Sequence, residues 1–92
     1  MKILVMKFGG TSLEDIKRIN KVATIIKQKI KKYKIIVVLS AMAGTTDNLQ
    51  KYIDEIGTNH SSDSDLVITA GEQVSVGLLS MILNKIKIKS LS

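Results

Sequence analysis

The sequence predicts an α/β protein, a parallel sheet flanked by helices. Two short apolar runs, Lys2–Phe8 and residues 35–40, the second largely β-branched, read as buried strands. Each is followed by glycines and then by apolar residues recurring at intervals of three and four, the pattern of an amphipathic helix. The order β-α-β-α-α-β calls for parallel strands side by side, joined by right-handed crossovers.

Lys2–Phe8 (KILVMKF) runs into Gly9-Gly10, so the first strand ends near Lys7 at a tight turn. Thr11 with Glu14 three residues later fits a capping box, opening a helix whose apolar positions are Leu13, Ile16, Ile19, Val22, Ala23, Ile26 and Ile30. Its other face carries Lys17, Lys21, Lys27, Lys31 and Lys34, a solvated surface that would also suit a membrane surface. Residues 35–40 (IIVVLS), apolar on successive positions, predict a strand covered on both faces that ends near Ser40. Asp47 is placed to cap a second helix with Leu49, Tyr52, Ile53 and Ile56 inward and Gly57 as its stop. Residues 58–65 read as a polar loop, and Leu66, Ala70, Val74, Leu78, Met81 and Ile82 as a third helix with a break near Gly71. Ile86 and Ile88 alternate with Lys87 and Lys89, the start of a further strand.

Composition narrows the chemistry. The 92 residues allow one small domain, and 45% hydrophobic content with no low-complexity run is globular. The longest uninterrupted apolar stretch, residues 35–39, is far short of the roughly 20 residues of a membrane span, and no signal-peptide core is present. A soluble, cytoplasmic protein with no membrane partner is expected. With no Cys and one His, thiolate nucleophiles, most zinc sites and most triads are excluded. His60 sits in the polar loop without a patterned partner and reads as an exposed bystander, and the four Met as core filler. The net charge of +6 is almost all lysine, with Arg18 the single arginine and Phe8, Tyr33 and Tyr52 scattered, a poor match to a nucleic-acid reader.

Parallel sheets bind ligands at the C-terminal ends of their strands, which brings the loops after Phe8 and Ser40 to one edge. In residues 7–12 (KFGGTS) a cation, backbone N–H groups and a helix start meet, as in phosphate sites, although an ordinary βα turn with a solvated Lys7 has the same spacing. The P-loop and dinucleotide fingerprints are both absent. Residues 40–47 (SAMAGTTD) add hydroxyls and small residues, or simply a turn and a cap. Glu72, in Thr69-Ala70-Gly71-Glu72, could be a further capping-box carboxylate.

Together three segments resemble the aspartokinases of the amino-acid kinase superfamily: residues 7–12 (KFGGTS), 37–49 (VVLSAMAGTTDNL) and 65–79 (DLVITAGEQVSVGLL), in the family's order. The resemblance implies a three-layer αβα fold of the amino-acid kinase, carbamate kinase-like type. Residues 1–92 would be the N-terminal portion of that kinase domain, truncated before its second half and the regulatory ACT domains. It implies transfer of the ATP γ-phosphoryl group to the β-carboxylate of L-aspartate, the entry step to lysine, threonine, methionine and diaminopimelate, with Mg2+ carried by the nucleotide. By position, Lys7 is the phosphoryl-stabilising lysine, Gly9 and Gly10 are backbone donors to ATP, Ser40 and Thr46 belong to the loop that meets nucleotide and aspartate, and Glu72 holds the substrate's α-ammonium. Lys87 departs from the glycine that family members often carry in that turn.

Three readings follow: one part of a kinase completed by a complementary polypeptide, an inactive truncated relic, or a basic-helix module for anions or nucleic acid. A chain with missing partners is also expected to expose large apolar patches and to aggregate.

Overall fold

The computed structural model describes residues 1–57 and 62–91. Strands β1 (Lys2–Phe8) and β2 (Tyr33–Leu39) pair in parallel, from Lys2 opposite Tyr33 to Phe8 opposite Leu39. Helix α1 (Ile16–Lys29) makes the crossover, and α2 (Thr45–Ile56) and α3 (Ser62–Lys85) follow. Leu13, Ile19, Val22, Ala23 and Ile26 meet Leu39, Leu79 and Leu83 in the core, with Met6, Phe8 and Val37 packed against them.

The period-2 alternation of the strands divides the sheet into two unlike faces. Leu4, Met6, Phe8, Ile35, Val37 and Leu39 turn toward α1 and α3. Ile3, Val5, Ile36 and Val38 are exposed, so the helices of this chain cover one face where the sequence led us to expect cover on both.

The helix starts differ from the predicted ones. Gly10, at φ +56°, turns the chain into a 3-10 segment (Gly10–Leu13) that drives Leu13 fully into the core, and Thr11 is used up inside it. The cap of α1 is Asp15, whose carboxylate accepts from the Arg18 N–H at 2.9 Å. Arg18 also pairs with Glu14 at 3.2 Å, one turn apart and exposed, which adds little stability. Ile16, counted as inward by spacing, is exposed. In α2 the cap position is the left-handed Gly44, and Asp47 lies in the first turn, where its charge favours the helix dipole. Gly57 closes α2 in the left-handed conformation, as predicted.

Helix α3 begins at Ser62, inside the expected loop, and runs unbroken through Gly71 for 24 residues, about 36 Å. Ser64, Gly71, Ser75, Leu79 and Leu83 form its buried stripe, so the glycine serves close packing and not a kink. Serines, glycines and Thr69 interrupt its apolar runs, yet α3 is by length and composition apolar enough to cross a membrane, with mean hydropathy 1.7 over its most apolar window. His60 lies outside the described residues.

No third strand forms among the described residues. Instead α3 ends in a Schellman motif: Ile88 N–H donates to Leu83 C=O at 2.8 Å and Lys87 N–H to Asn84 C=O at 3.0 Å, with Lys87 left-handed at φ +65°. The alternation of Ile86 and Ile88 reflects this closure, in which Ile88 folds back onto the core beside Leu83. Of the methionines, Met6 and Met42 pack on the core while Met1 and Met81 are exposed.

Candidate functional site at the C-terminal edge of the sheet

The loops after β1 and β2 meet where both strands end. Ser40 N–H donates to Phe8 C=O at 3.2 Å, extending the ladder one step past the sheet. At that step Gly9 is extended (φ −165°), and a Cβ on it would stand 2.8 Å from Ser40 Oγ. Only a residue without a side chain lets the two loops approach this closely. The Ser40 hydroxyl donates to Ala41 C=O at 3.2 Å, which fixes it along its own loop.

Each loop then opens a helical turn at the same edge. The 3-10 segment presents the N–H groups of Gly10 and Thr11 ahead of its first intrahelical bond, from Ser12 to Gly9 C=O. Ala43 N–H donates to Leu13 C=O at 3.4 Å, tying the second loop to the end of the first. Lys7, at the penultimate position of β1 opposite Val38, is exposed and makes no ion pair among the described residues.

Helix α3 brings in the third segment. A Cβ on Gly71 would lie 3.3 Å from Ala41 Cβ, 3.2 Å from Thr45 Cγ2 and 3.1 Å from Leu49 Cδ1, so α3 passes against the second loop and the first turns of α2. Glu72 follows Gly71 directly. It is in mid-helix, so the capping-box role suggested by spacing is absent. With Gln50, Ile53, Asp65 and Thr69 it lines a groove of about 470 Å³ between α2 and α3. Thr46 is exposed in the first turn of α2, one turn before Gln50 on the same face.

The structure therefore brings together Gly9, Gly10 and Ser40 at the strand ends and sets Lys7 beside them. Thr46 and Glu72 stand nearby, on the two helices joined at Gly71. Sequence reasoning missed Ala41, Thr45 and Leu49 as the surface that receives Gly71, and Ser75, whose fully buried hydroxyl has no hydrogen-bond partner among the described residues. The signal was present: Gly71 and Ser75 are small residues one turn apart, the spacing of a close helix contact.

The family model described as "Amino acid kinase family" matches residues 2–92. The chain is 39% identical over its whole length to an aspartokinase of Rickettsia felis, of which it covers 24%. To an aspartokinase of Geobacillus stearothermophilus it is 42% identical, again over its whole length and covering 23% of that protein. The crystal structure of aspartate kinase from Synechocystis superposes with a TM-score of 0.85 at 38% identity, covering 92% of this chain and 15% of that one. The chain thus spans about a quarter of the length of the curated relatives it matches. The three motifs, the paired loops at the strand ends and these matches agree: the chain belongs to the amino acid kinase family.

Proposed function

We propose that this chain contributes the phosphoryl-facing edge of an aspartokinase, which transfers the γ-phosphoryl group of ATP to the β-carboxylate of L-aspartate and yields 4-phospho-L-aspartate and ADP. The reading carries with it a cytoplasmic location and a place at the head of lysine, threonine, methionine and diaminopimelate synthesis. The observation that supports it most is the close approach of Gly9 to Ser40 at the strand ends, with Lys7 one step away.

The residues present fit a nucleotide phosphate. Gly9 lets the Ser40 loop come close beside it, Gly10 turns the chain into the 3-10 segment at φ +56°, and Lys7 supplies a cation that no carboxylate of the described residues engages. Bound ATP, with its Mg2+, supplies the phosphoryl group and its in-line leaving oxygen. Transfer between two anions needs charge offset and positioning more than covalent help. Lys7 would stabilise charge on the equatorial oxygens, and the backbone N–H groups of Gly9 and Gly10 would hold the phosphates. Ser40 and Thr46 would orient the two reactants by hydrogen bonds. Glu72, in the groove beside them, would accept from the α-ammonium of aspartate and so select an amino acid over a plain dicarboxylate. The adenine pocket and the group that takes the α-carboxylate would come from residues outside this chain, in a complementary polypeptide or further sequence.

The test is kinetic, on the kinase assembled with those residues. Lys7→Ala should lower turnover by about 10²-fold or more with the aspartate KM nearly unchanged. Glu72→Gln should raise the aspartate KM while the ATP KM holds. Wild-type turnover in Lys7→Ala would overturn the assignment.

A further inference from the structure

Helix α3 is apolar on both sides, and this chain covers one of them. Gly71, Ser75, Leu79 and Leu83 make the buried stripe, yet only 22% of the helix's most apolar window is buried. A helix that is apolar all round calls for cover all round. On the far side, roughly 140° from that stripe at about 100° per residue, stand Val67, Ala70, Val74, Gly77, Met81 and Asn84. All six are exposed, and none is charged. Residues that extend the sheet or cover its open face belong on the other side of the core from this seam.

The spacing of the six is that of a coiled-coil seam. They recur at alternating steps of three and four, with Val67, Val74 and Met81 at one heptad position and Ala70, Gly77 and Asn84 at the other. An antiparallel copy of α3 sets each position against the other, so that Val74 meets the partner's Gly77 and Met81 meets the partner's Ala70, large against small. A Cβ built on Gly77 finds nothing within 4 Å, so that hollow is open. A parallel copy would stack large on large and hold the small residues apart. Charge makes the same choice. Helix α3 starts with Asp63 and Asp65 and ends with Lys85, with Lys87 and Lys89 just beyond, so opposed helices bring acid to base at both ends while parallel ones bring like charges together. We propose that this face of α3 is an isologous interface, on which a second copy of the chain packs its own α3 antiparallel. A lipid bilayer would use the apolar groups but neither the alternation of sizes nor the order of charge.

The test is cross-linking and sedimentation of the 92-residue chain, carrying Val5→Thr and Ile36→Thr to silence the open sheet face. The chain has no cysteine, so introduced ones report alone. Chains with Ala70→Cys mixed with chains with Met81→Cys should bridge under mild oxidation, and neither should bridge to itself. An antiparallel pair holds two copies of either position about 16 Å apart along the axis, beyond the roughly 7 Å that a disulfide spans. Sedimentation equilibrium should give a dimer, Val74→Lys a monomer, and Lys85→Glu a dimer about three-fold weaker or more. Val74 is exposed in the single chain, so Val74→Lys should keep its helices, as circular dichroism checks. Ile16→Ser, an apolar loss away from the seam, should leave the dimer unchanged. Ala70→Cys bridging readily to itself would overturn the antiparallel pair, as would a dimer untouched by Val74→Lys. A chain that stays monomeric, whether or not it sediments with phosphatidylcholine vesicles, would overturn the interface.

Discussion

Gly9 and Ser40 stand so close across the strand ends that a methyl group on the first would press on the hydroxyl of the second at 2.8 Å. The backbone of Gly9 is extended, a conformation open to any residue, so the constraint at this position is contact and not dihedral strain. Gly9→Ala should therefore lower stability by about 1–2 kcal/mol through crowding. Most of that loss should disappear in the Ser40→Ala background, where the nearest remaining atom is the Cβ at 3.6 Å. Urea melts of the four proteins of this cycle measure the coupling; additive losses would show that the loops do not touch.

The two central glycines of α3 should respond with opposite signs. At Gly77 an added Cβ meets nothing within 4 Å, and Gly77→Ala should stabilise by about 0.5–1 kcal/mol through helix propensity. At Gly71 the same change gains the same propensity but confronts Leu49, Thr45 and Ala41 at 3.1–3.3 Å, and Gly71→Ala should be destabilising overall. Thermal melts of the two variants, side by side, check the difference.

Lys87 holds a left-handed backbone that a lysine adopts at a cost. Lys87→Gly should raise stability by about 0.5–1 kcal/mol and Lys87→Asn by less, with no change in helix content. A loss of stability in Lys87→Gly would mean that the Schellman geometry is not the one the chain adopts.

Ser75 carries a fully buried hydroxyl without a partner among the described residues. Because an orphan polar group is costly to bury, Ser75→Ala should be neutral or stabilising, and Ser75→Val destabilising by crowding at a site with no exposure. Denaturant midpoints of the two variants give the answer.

How much of this was legible beforehand depended on range. The two strands, their parallel order and the helices of Ile19, Val22, Ile26 and Ile53 follow from periodicity, which is a local signal strengthened by burial. The convergence of the loops after Phe8 and Ser40 was also readable, since parallel strands must release their loops at one edge, whereas the contact of Gly9 with Ser40 depends on backbone detail that spacing does not carry. The starts of α1 and α2 were misplaced because several Ser, Thr and Asp residues near each start can accept an N–H, and the cap fell to Asp15 for α1, after the 3-10 turn at Gly10, and to the left-handed Gly44 for α2. Gly71 was read as a breaker because its partners Ala41, Thr45 and Leu49 are more than twenty residues away in sequence. Ile86 and Ile88 imitate a strand because a Schellman closure also places an apolar residue two positions past the helix end.

The exposed faces of Ile3, Val5, Ile36 and Val38 leave an apolar surface on the uncovered side of the sheet, where the isolated chain should associate. Replacing Val5→Thr and Ile36→Thr keeps β propensity while removing two apolar groups from that surface. The variant should stop at the α3-joined pair at concentrations where the parent associates further, as light scattering would record.

Helix α2 hangs between two left-handed glycines, Gly44 and Gly57, packs chiefly against α3, and buries only Ile53 fully. Such a segment should open as a unit of its own ahead of the core around Leu13 and Ile19. Its amides should exchange with solvent well ahead of those in α1. Detachment would carry away Thr46 and open the wall that faces Glu72, so the carboxylate's groove would depend on the helix expected to open first. An amino acid bound there would act as a clasp, slowing exchange throughout α2 in proportion to its occupancy.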